Sequence, residues 1–213
     1  MELAEESTSE RQTENRFKLV LLGSADVGKS SLVLRYTRDD FMETVSTTGC
    51  AFFSHRVYLQ GRMLDFEVWD TAGQERYHSV SHLYYRGASA ALLVYDITSK
   101  ESFSRAQLWF QELQKYVFSG EMVIALVGNK SDLQDKGKVS REVAQAFAEQ
   151  KGLLFIETSA KTGDGVKEVF EAVAHELLAL EKQKEEKQRR RDSLITLEES
   201  RSSDVRHRCC NFH

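Results

Sequence analysis

The sequence predicts an α/β fold, a mostly parallel six-stranded sheet with one antiparallel edge strand and helices on both faces. Three features predict it. Short apolar runs alternate along the chain with stretches of helical periodicity. One such run, Leu19-Val20-Leu21-Leu22, breaks at Gly23 into a turn that ends in Gly28-Lys29-Ser30 and opens a helix. Two alternating runs, Ala51 to Leu59 and Met63 to Trp69, are joined by Gln60-Gly61 and read as a hairpin, which supplies the antiparallel edge.

In chain order, Phe17 to Leu22 is the first strand and Lys29 to Thr37 the first helix, followed by a polar loop from Asp39 to Thr48. The hairpin comes next, then a polar loop with a short helix, then the apolar strand Ala90 to Tyr95. Phe103, Ala106, Phe110, Leu113 and Val117 recur at helical spacing, as do Val166, Val169, Phe170, Val173 and Leu177. Strands at Met122 to Val127 and Leu153 to Ile156, with a helix around Arg141 to Lys151 between them, complete the set. No internal repeat is present. Ligands of such sheets bind at the carboxyl ends of the strands, so the chemistry is sought in the loops there.

Length and a 41% hydrophobic content allow one globular domain with appendages. The expected division is a disordered N-terminal tail at 1–15, a globular domain at 16–181 and a flexible tail at 182–213. The formal net charge of -4 lacks the basic balance of nucleic-acid binders, and no nucleic-acid partner is expected. No apolar stretch is long enough to span a bilayer, and the polar, Glu-rich start reads as neither a span nor a signal peptide. Cys50 lies within a strand, while Cys209 and Cys210 adjoin near the end, so no disulfide framework is indicated and a reducing cytosol fits.

Gly23 to Ser30 fits G-x-x-x-x-G-K-[ST]. In such a loop the backbone through Ala25, Asp26, Val27 and Gly28 curls so that N–H groups face an anion, and the helix opening at Lys29, Ser30 and Ser31 adds its positive dipole end. Lys29 would reach the β/γ-phosphates and the Ser30 hydroxyl would ligate a magnesium ion. A chance glycine turn before a helix is the plainer reading. In Trp69-Asp70-Thr71-Ala72-Gly73-Gln74-Glu75, Asp70 stands at a strand end, where a carboxylate steadies that magnesium, and Gly73 permits close backbone approach to a terminal phosphate. Asn129-Lys130-Ser131-Asp132 and Ser159-Ala160-Lys161 end two further strands. Asp132 can accept from both the ring N–H and the exocyclic amine of guanine, a donor pair that adenine lacks, although an ordinary turn would also explain these residues singly.

Together these motifs resemble a Rab-type small GTPase of the Ras superfamily over roughly Phe17 to Leu180 and the extreme C-terminus. Tyr84-Tyr85-Arg86-Gly87-Ala88 and Leu93-Val94-Tyr95-Asp96-Ile97-Thr98 resemble Rab-specific segments, and Tyr77-His78-Ser79 with the Cys-Cys ending leans toward the endocytic, epithelial recycling branch. The resemblance implies a P-loop GTPase fold, GTP and GDP as substrate and product, and Mg2+ held by Ser30, Thr47 and Asp70. It implies catalysis by Gln74, which orients the attacking water, with Lys29 and Gly73 stabilising charge on the γ-phosphate. Phe41 would pack on guanine, Ala160 would offer its N–H to the guanine carbonyl, and Lys130 and Lys161 would flank the base. The partners implied are an exchange factor, a GTPase-activating protein, effectors, a prenyl-transfer escort and a GDP-dissociation inhibitor, acting on a monomer at the cytoplasmic face of endosomal or recycling membranes.

Some positions depart from the family. Asp26 puts a carboxylate in the phosphate loop, where it repels phosphate unless it points outward. The loop from Phe41 to Thr47 is one residue shorter than in many relatives, and Thr48 replaces the usual Ile or Val. In the hairpin, parity places Phe52 with Ser54, Arg56 and Tyr58, and Trp69 with Asp65 and Glu67, so both aromatics face solvent or a partner. With Tyr84 they match the family's aromatic triad for effector binding, with mutual packing as the alternative.

After Leu180 the chain is dense in charge and then polar. Cys209 and Cys210 resemble the double-cysteine ending on which Rab proteins receive two geranylgeranyl groups, enough for a stable anchor. Arg189, Arg190, Arg191, Arg206 and Arg208 would add about 1 kcal/mol each close to anionic lipid. A GTP-hydrolysing membrane switch is the favoured function. The alternatives are a nucleotide-binding membrane scaffold with little turnover, suggested by Asp26, and an ATP-using enzyme on the same loop, against which Asn129 to Asp132 argue.

Overall fold

The computed structural model describes residues 15–41, 47, 49–73, 81–116 and 122–206. Among these, six strands form one sheet in the order β2-β3-β1-β4-β5-β6. The strands are β1 (Asn15–Leu22), β2 (Cys50–Leu59), β3 (Arg62–Thr71), β4 (Ala90–Asp96), β5 (Val123–Asn129) and β6 (Leu154–Thr158). The helices are α1 (Lys29–Arg38), α2 (Ser81–Tyr85), α3 (Lys100–Tyr116), α4 (Arg141–Lys151) and α5 (Val166–Arg206). All neighbouring strands run parallel except β2, which pairs antiparallel with β3 at the sheet edge. The predicted fold class is the one observed.

The central strands are apolar throughout because both faces are covered. On β1 and β4, Val20, Leu22, Ala91, Leu93 and Tyr95 pack into one cluster with Phe103, Ala106, Phe110 and Leu113 of α3 and Ala144 and Ala148 of α4. Their alternate neighbours Leu19, Leu21, Leu92 and Val94 are fully buried on the opposite face, as the period of two requires. Leu32 and Val33 of α1 and Val166, Val169, Phe170 and Val173 of α5 are buried as well, and Tyr36 of α1 stacks on Phe170 at 3.8 Å. At the hairpin, Gln60 and Gly61 have φ of 52° and 77°, the sign that a two-residue type I′ turn demands at both positions.

Two predicted boundaries are corrected. β5 and β6 do not stop at Val127 and Ile156, where the apolar residues end; their ladder continues through Gly128↔Glu157 and Asn129↔Thr158. Asn129 and Thr158 are polar yet buried, because each finds hydrogen-bond partners inside the protein. A 3-10 helix at Ser131–Lys136, absent from the sequence reading, follows β5.

The chain divides into two units after Ala174. The second begins at His175 and contains the rest of α5, to Arg206. Strong helix formers dominate this stretch, and Gln188 Nε2 donates to Asp192 Oδ1 at 2.8 Å across one turn.

Candidate functional site

The loops at the carboxyl ends of β1, β3, β5 and β6 meet α1. The turn from Gly23 to Gly28 ends in the left-handed Gly28, φ 93°, where a Cβ would stand 2.4 Å from Asn129 Nδ2. Asp26 is also left-handed, φ 60°, a region that Asp tolerates better than most residues, and it is exposed. Ala25 is exposed and Val27 buried.

Lys29 opens α1 with a buried side chain, and its Nζ donates to the carbonyl oxygens of Gly23 at 3.1 Å and Ser24 at 2.9 Å. Burial lowers its pKa to about 8, against the opposing pull of Asp70 and Asp26. A cation this deeply desolvated calls for an anion, which a phosphate would supply.

Beside it, Ser30 Oγ lies 2.7 Å from Thr47 Oγ1 and donates to Asp70 Oδ2. Burial raises the Asp70 pKa, only partly offset by the hydrogen bonds from Ser30 and Thr47 and the charge of Lys29. The other carboxylate oxygen, Oδ1, is buried with no hydrogen-bond partner among the described residues. An orphaned buried acceptor next to two hydroxyl oxygens is a donor set for a hard divalent cation. Magnesium therefore fits Ser30, Thr47 and Asp70. The β2–β3 pairing extends past the strands through Ala72 N–H to Gly49 O, 2.8 Å, which keeps Thr47 and Gly73 near one another in the chain trace. Gly73 passes so close to the phosphate loop that a Cβ would meet Ala25 N at 2.3 Å and Ser24 O at 2.4 Å. Gln74 lies outside the described residues.

On the far side, Asn129 joins three loops. Its Nδ2 donates to Val27 O at 2.8 Å, and its Oδ1 accepts from Ala160 N at 3.1 Å and Thr158 Oγ1 at 3.2 Å. The Ala160 N–H, expected to face a guanine carbonyl, is thus shared with or committed to Asn129. Asp132 is exposed, and Ser159 Oγ donates to its Oδ1 at 2.6 Å. Lys130 pairs with Asp96 Oδ2 at 2.7 Å, Lys161 is exposed, and Phe41 is 37% exposed. Ser31 is buried in α1.

The aromatic patch is half-exposed. Phe52 and Trp69 are cross-strand partners with ring centroids 5.6 Å apart, and Phe52 is 54% exposed. Trp69 does not face solvent freely. It is half-buried, packs, as Tyr84 also does, against the buried cluster that α3 completes, and carries the Lys18 ammonium 4.6 Å from its ring centroid. Sequence reasoning also missed Arg35, whose guanidinium holds the Ala160 and Lys161 carbonyls. No local pattern marks a contact 125 residues away.

The model of the Ras family matches residues 18–179. With the phosphate loop, the cation-binding oxygens and this doubly covered sheet, the match is decisive: the chain belongs to the Ras family and is a Rab-type small GTPase. It is 56% identical over 162 residues to Ras-related protein Rab-17 of Homo sapiens, covering 76% of each chain. It is 54% identical over 170 residues to Ras-related protein Rab5 of Nicotiana tabacum, covering 79% of this chain and 84% of that one. To Ras-related protein RABF2b of Arabidopsis thaliana it is 55% identical over 161 residues, covering 75% and 80%.

Proposed function

We propose that this GTPase is a switch that recruits effectors to a membrane and regulates vesicle traffic on the endocytic or recycling route. The observation that carries the reading is the orphaned Asp70 Oδ1 beside Ser30, Thr47 and the desolvated Lys29. Magnesium at these oxygens would neutralise charge on the β- and γ-phosphates. Lys29 binds the same phosphates, Gly73 brings a backbone N–H to the terminal one, and Gln74 orients the water that attacks it, yielding GDP and phosphate. The 16–181 segment is the nucleotide domain in this reading, and Phe52, Trp69 and Tyr84 are the surface that effectors touch.

No arginine lies just ahead of Thr47, where Val45 and Ser46 stand, so the charge of the transition state is under-compensated. Intrinsic turnover is then slow, on the order of 10⁻⁴ to 10⁻³ per second, and an activating protein adds roughly 10³- to 10⁵-fold through its own arginine. Among the described residues no helix is long and apolar enough to cross a membrane. Attachment is assigned to Cys209 and Cys210, which lie outside the described residues, and cycling through the cytosol to a GDP-dissociation inhibitor. Two measurements test the reading: displacement of fluorescent GDP by GTP and by ATP, and single-turnover hydrolysis by wild type and Gln74→Leu. Equal displacement by ATP, fast hydrolysis without a partner, or no loss in Gln74→Leu refutes it.

A further inference from the structure

We propose that Arg35 is a positioning residue that clamps the base-facing loop, Ser159-Ala160-Lys161, to the C-terminal end of α1, capped by Asp39. The proposal rests on the reading of this site as a guanine-nucleotide site.

Arg35 lies in the last turn of α1, and its side chain is only 16% exposed. Its Nε donates to Ala160 O at 2.9 Å and its NH2 to Lys161 O at 2.9 Å, one fork of the guanidinium engaging two consecutive carbonyls. Its NH1 donates to Asp39 O at 3.0 Å and Asp39 Oδ1 at 3.1 Å. Asp39 is the left-handed cap of α1, φ 51°, and its N–H in turn donates to Arg35 O. Arg35 therefore holds the cap with its backbone and its side chain together.

Several of the loop's other polar groups are bonded elsewhere than α1. Gly163 N–H donates to Ser159 O, Thr162 N–H to Ser159 Oγ, and Ala160 N–H to Asn129. The Ala160 and Lys161 carbonyls take their partner from α1 instead, and they sit on the residues that face the base in the guanine reading. The opposite end of the same helix carries Lys29 and Ser30, at the phosphates. A 10-residue helix, roughly 15 Å long, thus connects the phosphate end of the site, the base end and the cap at Asp39. Lysine cannot replace the clamp, because an ammonium is a point charge with no planar fork to span two carbonyls.

The clamp predicts a base-dependent effect. Loosening residues 159–161 weakens the Ala160 contact to the guanine carbonyl, a group that adenine lacks, and so costs guanine more than adenine, whereas general destabilisation weakens both alike. The test uses the full-length chain loaded with Mg2+ and fluorescent GDP, as wild type, Arg35→Met and Arg35→Lys. Both variants should release GDP about tenfold faster, and their preference for GDP over ADP, measured by competition, should fall by about the same factor. Release and preference within twofold of wild type in either folded variant overturn the proposal, as does an equal loss of GDP and ADP affinity. Should both variants fail to fold, the Arg35 Nε–H signal of the wild-type Mg2+·GDP protein decides: slow solvent exchange supports the clamp, and fast exchange overturns it. A wild-type chain that binds no GDP instead refutes the nucleotide reading, and the clamp with it, before any variant is made.

Discussion

Lys29 is held in a state that costs stability until phosphate arrives. The side chain is 6% exposed, and burial takes its pKa from 10.5 to about 8. At 1.36 kcal/mol per pH unit this drop corresponds to about 3 kcal/mol. Because the folded-state value lies below the unfolded one, the unfolded chain binds more protons between the two. The cost is fully present below about pH 8, and stability contributed by this site rises as pH climbs toward 10.5. In Lys29→Met that dependence disappears. The variant also leaves the Gly23 and Ser24 carbonyls without their donor, but that loss shifts its curve by a constant and does not change the slope. Urea unfolding of nucleotide-free protein across a pH series, followed by tryptophan fluorescence, should therefore show wild type gaining about 2 kcal/mol on Lys29→Met between about pH 7 and 9.5. With Mg2+·GDP bound, the phosphate charge should restore the ammonium to its ordinary range and remove the gain. Parallel curves for the two nucleotide-free proteins would show that Lys29 is not desolvated, and the argument for a waiting anion site would fall.

Asn129→Ala should destabilise the fold by roughly 3 kcal/mol or more, since it strands the Val27 carbonyl, the Ala160 N–H and the Thr158 hydroxyl in a buried setting at about 1–3 kcal/mol each. Chemical denaturation gives the stability, and a chase of fluorescent GDP should show accelerated release from the same variant. Replacing Cys209 and Cys210 together with serine should move the protein from membranes to the soluble fraction, because two lipid chains anchor where one binds marginally. Intact-mass analysis of the membrane-bound wild type checks this directly, and unmodified cysteines there would refute it.

The sequence by itself determined what is local in this protein. The strand-turn-helix from Leu19 to Ser31 could be read because apolar runs, glycines and the Gly-Lys-Ser ending are consecutive, and their order dictates their geometry. The hairpin followed from Gln60-Gly61 and the parity of its strands, so that Phe52 and Trp69 were assigned to one face and are found paired across it. Period alone does not measure depth, however, and only the tertiary structure shows that packing against the core cluster and under Lys18 leaves Trp69 half-buried. The strand ends were misjudged for a related reason: Asn129 and Thr158 are polar, and the sequence does not reveal that each will be satisfied inside the protein. Asp70 could be placed at a strand end from its motif, but the buried, unpartnered Oδ1 that makes it a cation ligand exists only once Ser30 and Thr47 converge on the same carboxylate. Arg35 lies at the far limit. In sequence it is one cation in the last turn of an amphipathic helix, and its two carbonyl partners lie 125 and 126 residues away. Periodicity and turn chemistry act over a few residues, whereas such contacts form only when the folded chain packs the loop after the last strand against the helix after the first.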